Sequence, residues 1–125
     1  TFDKFFFKYP NFDKNILKLT LSTNLAITRC GASTTAELVH TLTPFIAVPL
    51  PESIDNHQLL NANYYNSLGC CWVMEQNKLD TKNLFNLIIE IIEDKQKLYN
   101  VRENMKKNSS KNVYKKIEEE IKKII

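Results

Sequence analysis

The segment from Leu25 to Glu37 carries the residue types that are best suited to hold an anion. It reads Leu-Ala-Ile-Thr-Arg-Cys-Gly-Ala-Ser-Thr-Thr-Ala-Glu, a short β-branched run followed by a glycine and by small residues that open a helix. We expect Gly31 to let the backbone turn sharply and to let a ligand come close. The unpaired N–H groups at the helix start, with the positive end of the helix dipole, would then hold a phosphate.

Hydroxyl side chains and one acid complete this candidate anion site. Ser33, Thr34 and Thr35 suit a helix start because their hydroxyls can cap the same N–H groups. Glu37 follows them, and a charged acceptor there would make strong hydrogen bonds to the hydroxyls of a sugar. The alternative is that Glu37 is a first-turn carboxylate that stabilises only its own helix. For Arg29 a ligand contact and a plain surface charge stay equally open.

A second polar cluster follows a proline-containing loop. His57, Gln58 and Asn61 lie in a run of hydrogen-bonding side chains. The simpler interpretation is a polar helix start with Asn56 as its cap. We favour ligand recognition, because the run is richer in hydrogen-bonding groups than capping requires. His40 is interpreted as an ordinary helix residue.

Strands and helices alternate along the chain with short connections. Strands are predicted at 5–9, 25–28, 45–49 and 70–74, and helices at 12–21, 34–42 and 56–68, with Gly69 as a left-handed stop. A further helix follows from apolar residues at i, i+3, i+4, i+7 and i+8, namely Leu84, Leu87, Ile88, Ile91 and Ile92. Beyond Asn100 the chain is strongly charged and breaks near residues 108–110. A last helix carries Val113, Ile117, Ile121 and Ile124 on one side.

This alternation predicts an α/β fold, a Rossmann-like parallel sheet with helices on both faces and a charged helical tail. Parallel strands need crossover connections, which the helices supply. In such folds ligands bind beyond the carboxyl ends of the strands. The 29–35 turn and the 49–56 loop are both predicted at that edge. We expect the core to span about residues 5–96 and the tail about 97–125.

Composition excludes several other classes of protein. With 125 residues, 43% hydrophobic and 25% charged, the chain is one domain or a piece of one, neither disordered nor membrane-spanning. Since Thr1 is not an initiator methionine, we expect an upstream portion. The net charge of +3 is far from that of a dedicated nucleic-acid binder. His40 and His57 lack the spacing of metal ligands.

The three cysteines do not suggest a disulfide framework. Cys70 and Cys71 are adjacent, and Cys30 would be left over. Reduced thiols in the cytosol fit this pattern best. We expect one of the adjacent pair to be buried and the other half-buried in a strand, and neither to be catalytic.

Three motifs in the same order resemble the carboxyl-terminal domain of the MurG family of bacterial glycosyltransferases. They are the segment 25–37, Pro44-Phe-Ile-Ala-Val-Pro49 and Asp55-Asn-His-Gln-Leu-Leu-Asn-Ala62. The resemblance is specific over about residues 12–75. It implies the carboxyl-terminal half of a glycosyltransferase B fold, which binds UDP-N-acetylglucosamine. The amino-terminal domain of that family binds the lipid-linked muramyl-pentapeptide and works at the cytoplasmic face of the inner membrane.

The resemblance also implies roles for individual residues. Glu37 would bind the ribose hydroxyls, and the backbone after Gly31, at Ser33 and Thr34, would hold the diphosphate. The sugar hydroxyls would be contacted by His57, Gln58 and Asn61. The backbone near Phe12 and Asp13 would line the uracil slot, although Asp13 replaces a more usual apolar residue. No metal or other cofactor and no nucleic acid is implied, and peripheral membrane contact stays open.

The chain departs from the family in ways that limit what it does alone. The family's glycine-rich loops and the amino-terminal residue proposed as general base are absent. The loop before Asp55 is one residue longer than in close relatives. We therefore expect part of a donor-binding domain that is inactive by itself. Two alternatives stay open, the soluble subunit of a two-part dolichol-linked N-acetylglucosamine transferase and a non-enzymatic interaction module.

Overall fold

The computed structural model describes residues 24–124, and at residues 110–116 it describes the backbone only. The predicted strand at 5–9, the predicted helix at 12–21 and Asp13 lie outside the described residues. Three short parallel strands form the described sheet, β1 (Ala26–Thr28), β2 (Phe45–Ala47) and β3 (Cys71–Val73), in the order β1-β2-β3. The three strands are those that the sequence predicts at these positions, each one or two residues shorter.

In the described residues, five α-helices connect and follow the strands. They are α1 (Ala32–His40), α2 (His57–Ser67), α3 (Thr81–Glu93), α4 (Lys95–Lys107) and α5 (Ser110–Ile124), with 3-10 turns at Ile54–Asn56 and Gln76–Lys78. Asp80 caps α3 by accepting the Asn83 N–H at 2.7 Å, and Asp94 caps α4 by accepting the Gln96 N–H at 3.0 Å. Such caps satisfy amides that no helical carbonyl can reach. Asp94 therefore both ends α3 and begins α4.

The sheet buries both of its faces against helices. Because side chains alternate along a strand, Phe45, Ala47 and Cys71 lie on one face and Ile46 on the other. The first face packs against Leu38 and Val39 of α1, Ala62 of α2, and Val101 and Met105 of α4. The second packs against Ile88 and Ile91 of α3. Full burial of an aliphatic side chain stabilises by roughly 1.5–3 kcal/mol, so these contacts hold the three layers together.

The charged carboxyl-terminal segment divides into two helices with different environments. Val101 and Met105 of α4 are buried in the core, so residues of the predicted tail contribute to packing. In α5, Ile117, Ile121 and Ile124 are exposed. Among the described residues, no helix combines the length and the apolar character needed to cross a bilayer.

The predicted bounds of α1 are wrong, and so is the alternative in which the Asn56 side chain caps α2. Helix α1 begins at Ala32 and ends at His40, two residues before the predicted 34–42, because Leu42 adopts a left-handed φ of 58° that a helix cannot continue. Asn56 also has a left-handed φ, of 55°, and its side chain caps nothing. The predicted stop at Gly69 is confirmed, with a φ of 73°.

The expectation of one half-buried cysteine in the adjacent pair is wrong. Cys70 and Cys71 are 0% and 4% exposed, because both pack into the core. Burial raises the pKa of the Cys70 thiol, and burial together with the neighbouring thiols raises the pKa of Cys71 to about 12. Since the thiolate is the nucleophile, neither thiol is suited to nucleophilic catalysis.

Candidate functional site

The loops that follow the three strands meet at one edge of the sheet. Arg29, directly after β1, donates from Nη1 to the Val48 carbonyl oxygen at 3.4 Å and to Oε1 of Gln76. Val48 follows β2, and Gln76 lies in the 3-10 turn after β3. One side chain thus connects all three loops. Sequence reasoning missed this function of Arg29 because Gln76 lies 47 residues away and carries no motif of its own.

The sharp turn after β1 is made by Cys30 and not by Gly31. Cys30 has a left-handed φ of 69°, whereas Gly31 has an ordinary φ of −66°. A left-handed backbone is costly for a residue other than glycine. The Cys30 N–H donates to Oγ1 of Thr28 at 3.2 Å, which helps to hold the strained turn. The expectation that Gly31 is needed for the turn is therefore wrong.

The absence of a side chain at Gly31 has a different consequence. An added Cβ at this position would meet nothing within 4 Å among the described residues. As far as residues 24–124 form it, the space in front of the turn is therefore open at the point where the helix begins. The close approach of a ligand to the backbone there stays a prediction.

The start of α1 leaves its first amides without partners. The Thr35 N–H is the first to bond within the helix, to the Gly31 carbonyl oxygen at 3.0 Å. The N–H groups of Ala32, Ser33 and Thr34 have no hydrogen-bond partner among the described residues. Amides in this position attract anions, which the helix dipole reinforces.

The hydroxyls expected to cap these amides do not cap them. Gly31 is the N-cap residue of α1, and no side chain caps the helix start. The Thr35 hydroxyl instead donates to the Gly31 carbonyl oxygen at 2.7 Å and is fully buried. Since neither Ser33 nor Thr34 has a side-chain hydrogen bond within residues 24–124, the amides stay available to a ligand.

Glu37 lies in the second turn of α1, on the side of the helix that carries Ser33. Residues four apart are neighbours on a helix surface. The Glu37 side chain is half-buried and has no ion pair or hydrogen bond with the described residues. The alternative of a first-turn carboxylate is wrong, because no acid lies in the first turn. The dipole effect fades beyond that turn, so the helix itself gains little from Glu37.

The loop before α2 places the second polar cluster near the same edge. Oε1 of Gln58 accepts the Leu50 N–H at 2.7 Å, which ties the helix to the loop after β2. Asp55 and Asn56 are both left-handed. His57 is exposed, with Nε2 3.9 Å from the Asp55 carboxylate, and an exposed pair at this distance contributes little to stability.

Asn61 is turned towards the turn that follows β1. Its Nδ2 donates to the Cys30 carbonyl oxygen at 3.0 Å and to Oγ1 of Thr35 at 3.1 Å. The side chain thereby links α2 to the turn and to α1. The described residues thus join Asn61 to the turn, whereas a contact of Asn61, His57 or Gln58 with a sugar stays a prediction.

A cleft of about 330 Å³ opens at the same edge, lined by residues 49–51 and 75–77 together with Asn56 and Leu59. None of the described residues predicted to bind a ligand lines it. The candidate anion site is thus an open surface as far as residues 24–124 form it. No group of three or more potential metal ligands occurs in that part of the chain.

Comparison with known families decides the class of the domain. The family described as "Glycosyltransferase family 28 C-terminal domain" matches residues 3–120. The chain belongs to this family. Its α/β fold, with a parallel sheet between helices, agrees with a crystal structure of MurG from Acinetobacter baumannii. That similarity has a TM-score of 0.68 at 24% identity and covers 78% of this chain and 28% of the other.

Named relatives of this family 28 domain come from bacteria. A protein of Pelagibacter ubique is 46% identical over 96 residues, 77% of this chain and 27% of the relative. A protein of Rickettsia prowazekii is 34% identical over 99 residues, 79% of this chain and 26% of the relative. Both are named UDP-N-acetylglucosamine--N-acetylmuramyl-(pentapeptide) pyrophosphoryl-undecaprenol N-acetylglucosamine transferase. The chain thus spans about a quarter of the length of these relatives.

The predicted membership of the MurG family of glycosyltransferases is therefore confirmed. The names of the relatives favour the bacterial transferase over the dolichol-linked subunit and over the interaction module. The roles of individual residues in binding are not tested by these similarities.

Proposed function

We propose that the chain binds UDP-N-acetylglucosamine as part of the inverting glycosyltransferase that converts lipid I to lipid II. The observation that carries this proposal is the start of α1. Within residues 24–124, three amides there have no hydrogen-bond partner, a Cβ on Gly31 would meet nothing, and Glu37, which also has no partner, lies on the same side of the helix as Ser33. A diphosphate with an attached pentose matches this pair of features, because it presents anionic oxygens next to two hydroxyls.

Each group has a stated part in donor binding. The amides of Ser33 and Thr34 hold the diphosphate, and the Glu37 carboxylate accepts hydrogen bonds from the ribose hydroxyls. His57 and Gln58, on α2, contact the hydroxyls of N-acetylglucosamine. Asp13 belongs to the uracil slot in this proposal and lies outside the described residues.

The helix start would also assist the reaction itself. In a displacement at the anomeric carbon, negative charge grows on the diphosphate as UDP leaves. Backbone amides that are already oriented stabilise this charge without reorganising. The amides after Gly31 therefore bind the transition state more strongly than the substrate, which is the condition for a faster reaction.

The rest of the reaction is assigned outside this chain. We propose residues 1–125 as a partial UDP-sugar-binding domain and a second domain as the site of the lipid-linked muramyl-pentapeptide and of the catalytic base. The enzyme would be cytoplasmic and peripheral on the inner membrane, where its acceptor is anchored. Transfer of N-acetylglucosamine to the lipid acceptor should therefore be undetectable with this chain alone, and measurable transfer would refute this division of roles.

Calorimetric titration tests the donor site. UDP and UDP-N-acetylglucosamine should bind the unchanged chain, and Glu37→Gln should weaken both. The matched control is Glu93→Gln, which removes the same charge from the end of α3, a helix on the opposite face of the sheet. Equal losses in the two variants, or no binding by the unchanged chain, would contradict the proposed function.

A further inference from the structure

Asn61 makes contacts that a sugar-binding residue does not need. Its amide nitrogen reaches acceptors on a different part of the chain, the Cys30 carbonyl oxygen at 3.0 Å, Oγ1 of Thr35 at 3.1 Å and, more distantly, Sγ of Cys30 at 3.8 Å. A carbonyl oxygen only accepts hydrogen bonds, so the nitrogen and not the oxygen of the amide must face Cys30. Both N–H groups of the amide are then in use.

These hydrogen bonds act on the most strained part of the candidate site. Cys30 holds a left-handed φ of 69° and is fully buried. Its N–H is held by Oγ1 of Thr28 and its carbonyl oxygen by Asn61. A strained backbone persists only where its surroundings impose it. Asn61 supplies the bond on the carbonyl side.

The same side chain extends its effect to Gly31 through Thr35. The Thr35 hydroxyl accepts from Asn61 and donates to the Gly31 carbonyl oxygen at 2.7 Å. The carbonyl oxygens of Cys30 and Gly31 are thereby held by buried or half-buried side chains. Within the described part of the chain, the amides of the following residues are left without partners at the start of α1.

We propose that Asn61 is a positioning residue, which fixes the turn at Cys30 and Gly31 and thereby orients the amides that bind the diphosphate. This inference rests on the proposed function and concerns the amide nitrogen of Asn61, whose oxygen has no hydrogen bond among the described residues and stays available to a ligand. The inference assigns Asn61 to the phosphate-binding part of the site, although Asn61 lies on the same helix as His57 and Gln58. Sugar recognition and phosphate binding are then linked through α2.

The two roles of Asn61 predict different patterns of affinity. In Asn61→Leu, calorimetric titration should show the affinity for UDP, which lacks the sugar, falling about tenfold, the size expected when misorientation of the turn costs one amide–phosphate hydrogen bond. The affinity for UDP-N-acetylglucosamine should fall at least as much. His57→Ala should weaken binding of UDP-N-acetylglucosamine and leave UDP unchanged. If Asn61→Leu behaves like His57→Ala, the residue contacts the sugar and the proposal is wrong.

A second pair of variants keeps the test decisive if Asn61→Leu does not fold, as judged by circular dichroism and thermal unfolding. Thr35→Val removes the hydroxyl that connects Asn61 to Gly31 and should weaken both ligands equally, whereas Thr35→Ser should restore binding. The control Asn66→Leu changes an exposed residue of α2 and should bind as the unchanged chain does. Equal binding by Thr35→Val and Thr35→Ser would overturn the proposal.

Failure of the inference can be distinguished from failure of the proposed function. If the unchanged chain binds both ligands but the Asn61 and Thr35 variants lose neither, only the positioning role is refuted. If the unchanged chain binds neither ligand, the donor site itself is refuted and the role of Asn61 with it.

Discussion

Gly31→Ala should abolish much of the ligand affinity while leaving the fold intact. The chain has two glycines, and they differ in what a methyl group would meet. At Gly31 the backbone φ is −66°, which alanine adopts without strain, and a Cβ would have no neighbour within 4 Å among the described residues. The methyl group would project into the space where the diphosphate is expected.

The expected effects follow from these two observations. Replacing glycine by alanine lowers the conformational entropy of the unfolded chain, which stabilises the fold by about 0.4–1 kcal/mol. Alanine is, however, less favourable than glycine at the N-cap position of a helix, and this destabilises the fold by an amount of similar size. We expect the free energy of unfolding to change by less than about 0.5 kcal/mol, or roughly 3 °C in the unfolding midpoint. Overlap between the methyl group and a ligand should cost about 1–3 kcal/mol, which corresponds to a roughly 5- to 150-fold loss of affinity for UDP.

Gly69→Ala is the matched comparison and should show the opposite pattern. Gly69 has a φ of 73°, and a Cβ there would lie 2.4 Å from Nδ2 of Asn104. This change should lower the unfolding midpoint without altering UDP affinity at temperatures where the chain is folded. Calorimetric titration and thermal unfolding of both variants provide the measurement. The reasoning is refuted if Gly31→Ala binds UDP like the unchanged chain, or if it unfolds as readily as Gly69→Ala.

Three other expected outcomes concern separate features of the chain. Glu37→Gln should leave the unfolding midpoint unchanged, because Glu37 has no partner among the described residues. The affinity for UDP should fall about tenfold, because a charge-assisted hydrogen bond is lost. Arg29→Ala should lower the free energy of unfolding by about 1 kcal/mol in urea titrations, because the side chain connects Val48 to Gln76; no change would show that these contacts do not stabilise the edge. Burial raises the pKa of Cys71 from 9.0 to about 12, because the folded state favours the protonated thiol. The resulting contribution to stability is fully present below about pH 9 and is lost as the pH rises towards 12. Cys71→Ala should make the fall in stability over this range shallower, and an unchanged slope would contradict that origin.

The sequence predicts the elements with strong local patterns. The stripe of Leu84, Leu87, Ile88 and Ile91 lies on α3, where periodicity alone defines the buried side. Gly69 ends the second predicted helix with the left-handed backbone that glycine permits. Such features depend on neighbours within one or two turns, which a sequence displays directly.

The details of the candidate site depend on contacts between distant residues. Nothing near Asn61 in the sequence indicates that its amide reaches Cys30, 31 residues earlier. The left-handed turn falls on Cys30 rather than on the adjacent glycine because hydrogen bonds from Thr28 and Asn61 hold it there. The Thr35 hydroxyl, expected to cap α1, is drawn into the same buried cluster. The sequence thus predicts where an anion would bind, which stays a prediction, whereas the residues that shape the turn at this position emerge only from the structure.

Titration of a ¹⁵N-labelled chain with UDP, followed by amide chemical shifts, tests the central claim most directly. The account predicts that the largest shifts occur at the backbone amides of Ala32, Ser33 and Thr34, and that inorganic diphosphate moves the same amides. Shifts confined to the lysine-rich helices α4 and α5, with the amides at the start of α1 unchanged, would contradict it.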